Sequence, residues 1–174
     1  MITHRAIQGT QEWLDIRAKF HTASEANAMM GCCSHTSRTQ LLDQKKTGIT
    51  PEPSNYEKQL FALGHKLEDM ARPIVEGIID EDLFQLVASK DDLLASFDGI
   101  TLMGDIGFEH KMWNEKLAEC VRNGIIPDTH VWQLEQQLYV SDAEKIIFVV
   151  SDGTTENMVH CWYESDPIKR KQLL

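Results

Sequence analysis

Asp98, Glu109 and Lys111 are the residues of this 174-residue chain whose types and spacing suit chemistry. Glu109 and Lys111 are two apart, so on an extended strand they project from one face while His110 projects from the other. The stretch Thr101-Leu-Met-Gly-Asp-Ile-Gly107 carries two glycines and can reverse the chain, which returns Asp98 to the side of Glu109. Two carboxylates close together attract a hard divalent cation, and a neighbouring ammonium holds a water or steadies a developing charge. Such a set suits metal-assisted phosphodiester hydrolysis. Read alone, Asp followed by Glu-x-Lys also fits an exposed strand of alternating charges, so the elements that position it have to be read as well.

The elements follow from period and punctuation. Thr10 caps a short helix to Arg17, with Trp13 and Leu14 facing inward. Thr22-Ala-Ser-Glu25 has the form of a capping box and opens a second helix that stops at Gly31. Ser37 to Lys46 forms a polar helix, and Ile49-Thr-Pro-Glu-Pro-Ser54 is a loop because two prolines exclude regular structure. Asn55 to Ile79 is the longest helix, with Tyr56, Leu60, Leu63, Leu67, Met70, Ile74 and Ile78 as its buried stripe and Pro73 as a kink or a restart. Strands follow at Leu83–Ala88, Leu93–Phe97 and Ile106–Met112. Asn114 caps a helix to Arg122, ended by Asn123-Gly124, and Pro127 or Asp128 starts another to about Val140. Lys145–Ser151 and Glu156–Glu164 form a hairpin over Asp152-Gly-Thr-Thr155, and Ser165-Asp-Pro167 starts a last helix. The order predicts a single α/β (α+β) domain over residues 1–174, with a central mixed sheet flanked by helices.

Composition narrows the class. A hydrophobic content of 42% supports one proper core, and no apolar run approaches the ~20 residues that cross a bilayer. The N-terminus lacks the apolar stretch of a signal peptide, and Cys32, Cys33, Cys120 and Cys161 have no C-x-x-C spacing, so the reading is a cytoplasmic protein with reduced thiols and no membrane partner. The net charge of −10 opposes wholesale phosphate binding but leaves room for a local basic groove.

Several blocks in one order resemble the phage recombination exonucleases related to lambda exonuclease, the YqaJ-type group of the restriction-endonuclease-like superfamily. They are Gly9-Thr-Gln-Glu-Trp-Leu-Asp-Ile-Arg17, Thr22-Ala-Ser-Glu25 with Gly31, Gly64-His-Lys-Leu-Glu-Asp-Met-Ala-Arg72, Ala95-Ser-Phe-Asp-Gly99, Glu109-His-Lys111 and Gln133-Leu-Glu-Gln-Gln137. The resemblance implies a restriction-endonuclease-like core with an antiparallel active-site hairpin. It implies that Asp98, Glu109 and the His110 carbonyl bind metal, that Lys111 orients or activates the attacking water, and that Glu68 completes a second metal position. Two Mg²⁺ ions, with Mn²⁺ as a substitute, would stand about 4 Å apart. Arg17, Ser24, Ser96 and Gln133 match residues that grip a terminal 5′-phosphate.

The expected activity is 5′→3′ degradation of one strand from double-stranded DNA ends to mononucleotides. It leaves a 3′ strand for a single-strand annealing protein, and the expected assembly is a homotrimer. The chain departs from the pattern at Phe97, where Pro is common, and at Glu135, where a second Gln is expected and Gln137 is the nearest substitute. Rival readings are another nuclease on the same scaffold, an endonuclease or a Cas4-like enzyme, and a non-enzymatic acidic interaction protein.

Overall fold

The computed structural model describes residues 1–33, 35–49 and 51–174, so Thr50 of the expected proline loop lies outside the described residues. In chain order the elements are β1 (Ile2–His4), α1 (Gln11–Arg17), β2 (His21–Thr22), α2 (Ala23–Met29), α3 (Arg38–Thr47) and α4 (Asn55–Ile79). Then come β3 (Leu83–Lys90), β4 (Leu93–Thr101), β5 (Ile106–Met112), α5 (Glu115–Arg122), α6 (Asp128–Ser141), β6 (Lys145–Ser151), β7 (Met158–Glu164) and α7 (Pro167–Leu173).

Every helix start among the described residues except that of α6, which follows Pro127, coincides with a side-chain cap. Thr22, Ser37 and Ser54 each close a capping box with Glu25, Gln40 and Glu57, and Thr10, Asn114 and Asp166 cap α1, α5 and α7. The strands form one sheet in the order β1-β3-β4-β5-β6-β7, with β2 pairing β4 in parallel. Most neighbours run antiparallel, whereas β5 and β6 are parallel, joined by a crossover through α5 and α6. The sheet is therefore mixed and covered by helices on both faces, as the sequence predicts.

Strand alternation divides the core in two. Ile146, Phe148 and Val150 of β6 point to α5 and α6, where they meet Ala118, Val121, Leu134 and Leu138. Ile147 and Val149 point the other way, to Ala71 and Val75 of α4 with Leu83 and Phe108. The β6–β7 turn passes close under α4: a Cβ on Gly153, at φ +85°, would lie 3.0 Å from the Met70 Cβ.

Several expectations need correction. The α4 stripe is rotated: Glu68, Ala71 and Val75 are buried and Leu60, Leu67 and Ile74 of the expected stripe are half-buried, whereas Tyr56, Leu63, Met70 and Ile78 are exposed. Small Ala71 lets the helix approach the sheet, and the carboxylate of Glu68 finds partners there, so hydrophobicity alone misplaces the face. The helix also continues through Pro73 instead of restarting. Leu14 faces outward at 47% exposure, leaving Trp13 as the inward anchor of α1. Strands β3 and β4 run on to Lys90 and Thr101, while β7 starts only at Met158 because Asp152 accepts from Thr154 and Asn157 and holds residues 152–157 as a turn. The short strands β1 and β2 have no counterpart in the sequence reading.

Candidate active site

The hairpin of β4 and β5 turns at Gly104, φ +78°, and pairs Ile100 with Gly107 and Gly99 with Phe108. One step further along that register Asp98 stands across from Glu109, where regular pairing has stopped. Instead of a ladder bond, Asp98 Oδ2 accepts from the main-chain N–H of His110 at 2.8 Å. Gly99 is required beside it, since a Cβ there would lie 2.9 Å from the Leu83 Cβ and 3.2 Å from Phe108 Cδ1. The Asp-Gly pair thus combines an acidic group with a close strand crossing that tolerates no side chain.

Glu109 is 3% exposed and both of its oxygens accept hydrogen bonds. Oε1 accepts from Lys111 Nζ at 2.5 Å and Gln133 Nε2 at 2.7 Å, and Oε2 accepts from Gln137 Nε2 at 2.6 Å. Gln137 also donates to the Ser96 carbonyl at 3.2 Å, and Lys111 reaches Gln133 Oε1 at 3.2 Å. The two glutamines are one helical turn apart, so α6 presents both amides to the same carboxylate. From the opposite face of the sheet, α4 delivers Glu68, whose Oε1 accepts from Arg72 at 2.7 Å and Gln85 at 2.9 Å. His65 approaches Glu68 Oε2 at 3.5 Å.

The electrostatics follow from this crowding. Burial, then the charges of Glu109 and Glu68, raise the Asp98 pKa well above the ordinary carboxylate range, against the pull of Lys111. Burial alone would lower the Lys111 pKa, but the attraction of Glu109 and Asp98 overcomes it and the net direction is upward, so Lys111 is an ammonium at neutral pH. The crowding of Asp98 by two neighbouring carboxylates is an electrostatic demand for a cation.

Among the described residues, no three His, Cys, Asp or Glu side chains converge to close a metal shell by themselves. Mg²⁺ usually takes one or two carboxylates, keeps waters and completes its shell with substrate phosphate. Asp98 and Glu109, hard oxygen donors on facing strands, fit such an ion.

The expected phosphate grip is only partly assembled. Arg17 donates to the Ser24 hydroxyl at 3.0 Å and lies over the Trp13 ring, 4.4 Å from its centroid. Trp13 Nε1 in turn donates to the Ser96 hydroxyl at 2.9 Å. Arg17, Ser24 and Ser96 are thereby linked along one strip through Trp13, which the sequence reading gave only as an inward-facing residue of α1. Gln133 stands apart from them, on Glu109 and Lys111. Gln137, named only as a substitute, joins Gln133 there, while Glu135 points away from the site into a buried cluster with β7 and α7.

His110 and His130 flank this centre. Burial and then the charge of Lys111 push both imidazoles down to about 4. The unfolded chain takes up these protons near 6.5, so between about 4 and 6.5 it binds more protons than the folded one. Their contribution is therefore complete above pH 6.5 and declines as pH falls toward 4, whereas the raised Asp98 pKa works in the opposite sense. The melting temperature of His130→Gln, which lacks that proton site, should fall less steeply than wild type over that window in a pH series of thermal melts. Parallel slopes would refute the assignment.

The fold is similar to that of several solved exonucleases. The chain is similar to an alkaline exonuclease from Laribacter hongkongensis, with 20% identity over 94% of this chain and 87% of that one and a TM-score of 0.73. The structure of the same enzyme in complex with dAMP matches at 23% identity, with the same coverage and a TM-score of 0.74. A phage-related exonuclease from Haemophilus somnus 129PT matches at 11% identity over 88% of each chain, with a TM-score of 0.59. No curated protein gives a significant match. The particular family is set by sequence: residues 12–144 match the YqaJ-like viral recombinase domain, and the chain belongs to that family. Among the described residues no helix is long and apolar enough to cross a membrane.

Proposed function

We propose that residues 1–174 act as one nuclease unit, a Mg²⁺-dependent 5′→3′ exonuclease on double-stranded DNA ends. Its products are mononucleotides and a 3′ single strand, passed to a single-strand annealing protein. The observation that carries this reading is the facing pair Asp98 and Glu109, with Lys111 bonded to Glu109, in a chain of the viral recombinase family. The dAMP bound by the Laribacter enzyme supports a mononucleotide product.

A divalent ion held by Asp98, Glu109 and the His110 carbonyl, with Glu68 at a second position, would supply Lewis acidity at the phosphate and a more acidic water. Mn²⁺ would substitute. Lys111, held as an ammonium, orients the attacking water and offsets charge on the phosphate; it is not a general base. Gln133 and Gln137 hold the Glu109 carboxylate at a fixed angle. Arg17 offers a planar fork, and Ser24 and Ser96 hydroxyls, to a terminal 5′-phosphate. A homotrimeric ring would retain DNA by topology, which suits a subunit of net charge −10 that cannot rely on broad phosphate attraction.

The test compares 5′-phosphorylated linear, 5′-hydroxyl linear and circular duplex with Mg²⁺. Wild type should degrade the phosphorylated ends fastest and spare the circle. Lys111→Ala should lose cleavage on both ends. Arg17→Ala should lose the preference for phosphate, a change of roughly 10–100-fold for a charged hydrogen bond. Equal cutting of circular and linear duplex would replace the reading with an endonuclease.

A further inference from the structure

Arg72 sits four residues after Glu68 on α4, so the two side chains share a face. Its guanidinium makes three bonds in three directions. Nη2 donates to Glu68 Oε1 at 2.7 Å, Nη1 to Asp69 Oδ1 at 3.0 Å, and Nε to the main-chain carbonyl of Asp98 at 3.0 Å. The third bond is the informative one, because it leaves the helix and ends on the backbone of the residue that carries the hairpin carboxylate. The side chain is 17% exposed, so the bonds to Glu68 and the Asp98 carbonyl are partly shielded from competing water, whereas the one to Asp69 lies at the surface.

Asp98 is consequently fixed from two sides, its side chain by the His110 N–H and its carbonyl by Arg72. Glu68 is fixed on one oxygen only: Oε1 takes both Arg72 and Gln85, while Oε2 has only the 3.5 Å approach of the half-exposed His65. One rigid fork therefore spans the boundary between α4 and β4, and it orients Glu68 so that a single oxygen is left to a ligand.

We propose that Arg72 is a positioning residue: its fork sets the separation of Glu68 and Asp98, so that carboxylates from two elements act on one cation cluster. The proposal rests on the metal-dependent reading above. A simple countercharge to Glu68 would behave in the opposite way, since it competes with a cation and its removal tightens cation binding. Lysine keeps the charge but cannot reach a carboxylate and a carbonyl with fixed geometry. Glutamine drops the charge and the fork together.

The experiment titrates Mn²⁺ alone into the full-length protein by calorimetry, with wild type, Arg72→Lys, Arg72→Gln, Glu68→Gln and the Glu68→Gln/Arg72→Lys pair. Cleavage of linear duplex is measured in parallel against Mg²⁺ concentration. Both Arg72 variants should weaken Mn²⁺ binding by about 10-fold or more, the usual effect of losing a partner that orients a ligand. They should raise the half-saturating Mg²⁺ concentration to a similar degree and regain rate when Mg²⁺ is in excess. In the Glu68→Gln background Arg72→Lys should add little, and this comparison remains decisive if Arg72→Gln fails to fold. Tighter Mn²⁺ binding by Arg72→Gln, or Arg72→Lys indistinguishable from wild type, overturns the proposal. Wild type that neither binds Mn²⁺ nor cleaves duplex overturns the metal-dependent reading itself, and the role of Arg72 falls with it.

Discussion

Asp98→Asn is expected to lower cleavage of linear duplex by about a thousandfold while making the metal-free protein more stable. The two effects have one cause. The carboxylate is held in a site where burial and the charges of Glu109 and Glu68 oppose its ionisation. An amide of the same size keeps the bond from the His110 N–H, made at 2.8 Å in the native protein, and removes the repulsion. Relief of such a site typically contributes about 1 kcal/mol, or roughly 2–4 °C in melting temperature for a chain of this size. Loss of a group that acts directly on the transferring phosphate costs on the order of 10²–10³ or more in rate. Thermal melts in EDTA and then in excess Mg²⁺ separate the terms. The variant should melt higher in EDTA, and wild type should gain more from Mg²⁺, because an ion that binds only the folded state stabilises it by mass action. Near-normal cleavage, or a lower melting temperature in EDTA, would show that Asp98 is an ordinary structural carboxylate.

How much of this was legible depended on how local the determinant is. The helix starts were readable because a cap and its partner lie within three residues, as in Thr22 with Glu25 and Ser37 with Gln40. The hairpin was readable for the same reason: the Glu109/Lys111 alternation and Gly104 are short-range features. Face assignment in α4 failed because the regular apolar positions Tyr56, Leu63 and Met70 are not the ones that touch the sheet. A buried Glu68 and a small Ala71 carry almost no signal on a hydrophobic scale, yet they settle which side turns inward. The strands β1 and β2 span three and two residues, too few for any period to register.

The site was legible in its acidic residues and less so in what holds them. Gln85 reaches Glu68 across 17 positions with no local signal, whereas Arg72 and Gln137 stood in the blocks that carry the resemblance, four residues from Glu68 and Gln133, without a sign of what they bond. Trp13 is similar, since its bond to Ser96 spans 83 positions. Glu135 is the instructive case. At its position a second amide of the pattern is expected, but the side chain faces the opposite side of α6, and the amide that reaches Glu109 comes from Gln137, two residues on.

Arg170→Ala should destabilise the protein by about 3–5 kcal/mol, the usual cost of removing one partner of a buried ion pair. Glu135 is fully buried on α6 and accepts from Arg170 Nε at 2.6 Å, the Ser165 hydroxyl at 2.6 Å, the Tyr163 hydroxyl at 2.7 Å and the Asp166 N–H at 3.1 Å. Burial, then the bond to this carboxylate, pushes the Tyr163 pKa upward, so the phenol remains a donor. Without Arg170 the carboxylate keeps three neutral donors and loses its only ion-pair partner among the described residues. Arg122→Ala is the control: its pair with Glu115 leaves the side chains 46% and 70% exposed, and exposed pairs contribute about 0–1 kcal/mol. Denaturant melts should show a large loss for the first variant and almost none for the second. Adding Glu135→Gln to Arg170→Ala should recover part of the loss, because an amide needs no countercharge in a buried site. An equal, small effect of both arginines would mean that α7 is not anchored through Glu135. The orientation of α6, and with it the grip of Gln133 and Gln137 on Glu109, would then have to come from the sheet side alone, through the bonds of Gln136 to the His21 and Leu94 carbonyls.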